Sequence, residues 1–131
     1  MLSSVPSDGV VIVADLEAGI GTLTRLDDEA VDATVVVVEP TPRSMDVAAR
    51  AIAVAGDRRQ GRIVVAANKV ADADDERRVR EAFADHELLI VPTDPVIDQA
   101  DREGRSPIDV DPASPAVTAI ESLAGLLQNQ D

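Results

Sequence analysis

Ala33-Thr34-Val35-Val36-Val37-Val38-Glu39-Pro40-Thr41-Pro42 carries the chain from an unbroken β-branched run directly into a capped helix start. The apolar residues follow one another without alternation, the pattern of a strand covered on both faces. Thr41 before Pro42 places a hydroxyl cap ahead of a proline at the first helical position. Strand, polar turn and helix in that order are the opening of a parallel crossover unit. Three more runs share the character: Val10-Val11-Ile12-Val13-Ala14, Arg62-Ile63-Val64-Val65-Ala66-Ala67 and the shorter Glu87-Leu88-Leu89-Ile90-Val91.

Helical periodicity fills the intervals. From Met45 to Ala55, Val47, Ala51 and Val54 recur at helical spacing, with Ala48, Ile52 and Ala55 beside them. From Asp74 to Ala84 the stripe is Val79, Ala82 and Phe83, opposite the charge pairs Glu76–Arg80 and Arg77–Glu81. Asp94-Pro95 and Ser114-Pro115 repeat the cap-then-proline device, the second opening a helix over residues 115–127. Gly56 and Gly104 stand where helices would end on a left-handed residue. The prediction is a single α/β domain over residues 1–131. It has three layers: a mostly parallel sheet of about four strands with helices on both faces. Residues 1–9 are polar and expected to fray.

Composition limits the chemistry. The 131 residues hold 25 acidic against 12 basic side chains, a formal net charge of −13, which repels phosphate backbones. Phe83 is the sole aromatic residue, so no base-stacking platform for single strands exists. Nucleic acid is therefore not an expected partner. No cysteine is present and only one histidine, His86, which removes thiolate chemistry and multi-histidine metal centres. No apolar run approaches the roughly 20 residues of a membrane span, and no secretory leader opens the chain, so a cytoplasmic location is expected.

Ligands in open parallel sheets gather beyond the carboxyl ends of the strands. Four segments should meet there: Asp15-Leu16-Glu17-Ala18-Gly19, Glu39-Pro40-Thr41-Pro42-Arg43, Asn68-Lys69, and Pro92-Thr93-Asp94-Pro95. In order and spacing these segments resemble the MinD/ParA-type P-loop ATPases, and above all the CooC-like carbon monoxide dehydrogenase maturation factors. Asp15-Leu16-Glu17-Ala18-Gly19 looks like their second switch loop, and Val36–Thr41 their next strand and turn. Val64–Val70 is similar to the strand whose Asn-Lys reads adenine, and Val91-Pro92-Thr93-Asp94 to the loop closing over the base. The likeness runs from Val10 to Leu127.

The resemblance implies a site. Asp15 would hold magnesium through water and orient the attacking water, Gly19 would offer its amide to a γ-phosphate, and Glu17 would stand behind the metal. Asn68, Lys69, Pro92 and Asp94 would surround the base. Adenine is favoured over guanine, because Ala71 stands where guanine readers carry an aspartate. The family's glycine-rich phosphate loop has no counterpart: Lys69 is the only lysine, and no Gly-x-x-x-x-Gly-Lys-Ser/Thr occurs. The paired cysteines of CooC-like proteins are missing too. The resemblance thus points to a C-terminal half, a truncated or split ATPase domain over residues 10–127. ATP and magnesium would be used only with a complementing chain, so a protein partner or self-association is expected. The Asp15 strand would either pair directly with the Val35 strand or leave a gap for another chain.

Plainer readings stand beside these. Asp15 can cap a turn, Asn68 can end a strand, Lys69 can be a surface lysine and Asp94 a helix cap. Asp72, Asp74, Asp75 and Glu76 fit the acidic start of a helix. Arg58, Arg59 and Arg62 fit a solvated helix end or an anionic partner. A non-catalytic α/β interaction module that has lost nucleotide use is the alternative function.

Overall fold

The computed structural model describes residues 9–16, 31–57 and 61–129. In chain order these form β1 (Ala33–Val38), α1 (Pro42–Asp57), β2 (Arg62–Val70), α2 (Ala73–Ala82), β3 (Glu87–Pro92), α3 (Pro95–Glu103), α4 (Pro107–Val110) and α5 (Pro115–Gln128). The described strands make one parallel sheet in the order β1-β2-β3. Parallel neighbours need a helix to return the chain, and α1 and α2 serve as those crossovers. Helices lie on both faces, as the sequence predicts.

The cap-proline starts hold. Thr41 Oγ1 accepts from Ser44 N–H as α1 opens, and Ser114 Oγ from Val117 N–H as α5 opens. At α2 the acidic cluster supplies a reciprocal cap. Asp72 accepts from Asp75 N–H at 2.8 Å, while Asp75 reaches back to Ala71 N–H at 3.1 Å. Gly104 ends α3 with φ of 62°. Gly56 does not end α1, which runs through it to Asp57. The short helix α4 was not separable from its surroundings by periodicity.

One face of the sheet carries the main core. Val36 and Val38 of β1 and Val65, Ala67 and Val70 of β2 pack with Ala48 and Ile52 of α1, and with Val79 and Phe83 on the α2 side. The register Val36↔Val65 and Val38↔Ala67 puts these side chains in one layer. On the opposite face Val64 and Ala66 are buried, and α5 packs against β3 through its buried Ala116 and Val117.

Two expectations about the strands change. Val10–Ala14 is not a strand: it is irregular and exposed, with Val13 at 87%. A strand exists only through its ladder, and among the described residues β1 pairs with β2 alone. The direct pairing of this run with the Val35 strand is therefore not formed. The sheet thus has three described strands instead of about four. Nor is β1 covered on both faces, since Val37 is 64% exposed. It lies on the outer strand, while α5 sits over β3 across the sheet.

Arg62 ties the other end of the molecule together. Its guanidinium pairs with both carboxylate oxygens of Glu87 on the neighbouring strand. It also donates to the Leu126 carbonyl at 2.8 Å, an orphan acceptor near the end of α5. The Glu87 hydrogen bond raises the Arg62 pKa above its ordinary value and lowers that of Glu87. Arg62 is thus committed within the chain, and Arg58 and Arg59 lie outside the described residues.

Candidate functional site

The carboxyl ends of β1, β2 and β3 lie side by side, and the two inner loops are joined. Between the pairs Ala67↔Ile90 and Val70↔Pro92, β2 has two residues, Asn68 and Lys69, where β3 has only Val91. The surplus residue makes a β-bulge. It drives Lys69 to φ of 57°, a left-handed backbone that disfavours a side-chain-bearing residue by roughly 1–2 kcal/mol. Beyond the bulge, Thr93 N–H donates to the Val70 carbonyl at 3.0 Å, so the β3 loop closes onto β2.

Asn68 is half-buried, and its side-chain amide makes no hydrogen bond among the described residues. It therefore presents two N–H donors and a carbonyl acceptor at the sheet edge. Lys69 is exposed and its ammonium meets Glu39 Oε1 at 2.9 Å. Glu39 is fixed by its backbone: its N–H donates to Ser44 Oγ at 2.9 Å, and its carbonyl accepts from Thr41 N–H at 2.8 Å. Glu39 thus stands between β1 and the first turn of α1, within reach of the β2 bulge.

Asp94 is buried, and both oxygens of its carboxylate are hydrogen-bonded. One oxygen accepts from Val96 N–H at 3.0 Å, capping α3; the other accepts from Ala116 N–H at 3.0 Å, in the first turn of α5. The Ala116 bond, then the Val96 bond and the Ser114 hydroxyl, hold its pKa below the ordinary 3.8. Asp94 therefore sets the geometry of the β3 loop, tying the start of α3 to the first turn of α5. The folded carboxyl binds its proton less tightly than the unfolded one. Its stabilisation is complete above pH 3.8 and drains away as pH falls through the lower folded value. Asp94→Asn should accordingly melt below the wild type at pH 7, and the gap should narrow as the pH falls below 3.8. Thermal melts across that range check it.

Pro92 closes β3 beside the bulge, half-buried. Asp15 is exposed and follows the irregular Val10–Ala14 run. Glu17 and Gly19 lie outside the described residues. Among the described residues no group of three or more His, Cys, Asp or Glu side chains could hold a metal ion, and no helix is long and apolar enough to cross a membrane. His86 is exposed in the turn before β3. The structure therefore gathers Asn68, Lys69, Pro92 and Asp94 at one edge. It adds Glu39, which the sequence showed only as the residue closing the β1 run. It also shows that Asp94 serves α5, 22 residues away, a role no local pattern carries.

No protein-family profile matches the chain. Over 103 residues, 78% of its length, it is 37% identical to the carbon monoxide dehydrogenase accessory protein CooC of Rhodospirillum rubrum, of which it covers 39%. The fold matches the MinD cell division protein of Aquifex aeolicus with a TM-score of 0.58 and 24% identity, over 76% of this chain and 45% of that one. The chain thus spans less than half the length of either relative. In sequence the chain is similar to a CooC protein, and its fold is that of part of a MinD-like P-loop NTPase.

Proposed function

We propose that this chain supplies the adenine-reading edge, and with Asp15 and Gly19 the switch loop, of a MinD/ParA/CooC-like nucleotide site. In this reading the phosphate grip comes from residues other than these 131. The observation that carries it is the free Asn68 amide, held at the mouth of the sheet by a bulge and flanked by a strained lysine. Its paired donor and acceptor complement the edge of a purine. Backbone strain of this kind persists where surrounding structure over-determines it, and it clusters at ligand sites.

The triphosphate is the harder part of the ligand to hold. Backbone amides of a glycine-rich loop and its lysine normally cradle it, and the loop hydroxyl holds magnesium. None of these is present here: the only lysine belongs to the base loop, and the surface charge of −13 opposes an anionic tail. Asp15 would meet magnesium through water only beside such a cradle. Alone, the chain is a base reader without hydrolytic activity, and a protein partner that carries the missing cradle completes the site.

Calorimetric titration with ATP and magnesium tests this directly. The isolated chain should show no binding tighter than about millimolar, near −4 kcal/mol. Micromolar affinity without a second chain would overturn the assignment of the phosphate grip elsewhere.

A further inference from the structure

Two independent constraints bring Glu39 and Lys69 together. The first turn of α1 fixes the Glu39 backbone through Ser44 and Thr41, and the β2–β3 offset fixes the Lys69 backbone in its left-handed turn. Both side chains are largely exposed, 66% for Lys69 and 45% for Glu39, so their ion pair contributes little to folding. A sequence shaped for stability alone would put glycine at position 69 and need no carboxylate at position 39. The pair is better understood by what it does to the hydrogen-bonding character of the edge beside Asn68.

A lysine ammonium only donates. Left free beside the base, Lys69 would favour an edge that accepts, such as the O6 and N7 of a 6-oxo purine. Engaged by Glu39 at 2.9 Å, its charge is locally balanced and one donor is consumed. The carboxylate then offers its remaining lone pairs, and with the Asn68 carbonyl the edge becomes rich in acceptors. Such an edge complements the exocyclic amine of a 6-amino purine.

Resting on the base-reading role above, we propose that Glu39 is a positioning residue that sets base selectivity. By holding Lys69 it turns the edge toward 6-amino purines and against 6-oxo purines.

Adenosine and inosine differ at position 6 and the adjoining ring nitrogen and carry no phosphate, so they isolate the effect from the missing grip. The experiment titrates each into the labelled full chain and follows the amide resonances of Asn68, Lys69 and Thr93. Wild type should bind adenosine about fivefold or more tightly than inosine. Glu39→Gln should bring the ratio to about one by releasing Lys69. The double variant Glu39→Gln, Lys69→Met should recover the adenosine preference, because no ammonium is left to release. Thermal melts confirm that the variants fold. A Glu39→Gln ratio equal to wild type overturns the selectivity role while adenosine binding stands. A double variant as unselective as Glu39→Gln overturns it as well, showing that Glu39 does not act through Lys69. If neither nucleoside shifts these amides in wild type, the base-reading role itself falls, and this one with it.

Discussion

Phe83→Ala should lower folding stability by about 3–5 kcal/mol, the range for deleting a buried aromatic side chain. Phe83 is 3% exposed and follows the last turn of α2, where its N–H bonds the Val79 carbonyl. It packs in the cluster of Val36, Val65, Ile52 and Val79 that joins α1, α2 and the sheet. It is also the only aromatic side chain, and its neighbours are mostly Val, Ala and Ile, too short to close over the vacated space. A urea titration reads the effect as an earlier midpoint at similar slope. A loss under about 1 kcal/mol would mean that the α2 layer relaxes freely around the gap, contrary to the packing described.

The other large effect is expected at Gly61, immediately before β2. Its φ is 68°, and a β-carbon there would collide with the carbonyl oxygens of Val31 and Asp32. The Asp32 carbonyl is also the acceptor for Arg62 N–H, at 3.0 Å, so the approach is part of how β1 and β2 begin together. Gly61→Ala combines the left-handed penalty of roughly 1–2 kcal/mol with displacement of backbone, for a total of about 3 kcal/mol or more. Gly104 provides the control. Its φ is 62°, but nothing lies within 4 Å of a β-carbon built there. Gly104→Ala should show the conformational part alone, so equal losses at the two sites would exclude the steric component.

What the sequence made legible follows from range. Cap and proline side by side announce a helix start, and the starts at Pro42, Pro95 and Pro115 lie where Thr41, Asp94 and Ser114 place them. Uninterrupted apolar runs marked β1, β2 and β3, because nearness in sequence suffices to define a strand's character. The same signal failed at Val10–Ala14, since the character of a run does not supply the neighbour it must pair with. At the site, Asn68 and Lys69 were readable as a pair, but not the bulge between them, which depends on the offset of β3. The engagement of Glu39 with Lys69, and of Asp94 with α5, joins parts of the chain 30 and 22 residues apart. Such contacts exist only once the sheet has formed.

Helix α5 is gripped at its extremities. Asp94 and Ser114 take amides of its first turn, and Arg62 takes a carbonyl of its last. Only part of its flank is buried, and Ile120 midway along it is half exposed. A helix anchored in this way tolerates drift along its outward side. Thr118, Ile120, Glu121 and Ala124 can therefore diverge widely between related genomes while Asp94, Ser114 and Arg62 stay fixed.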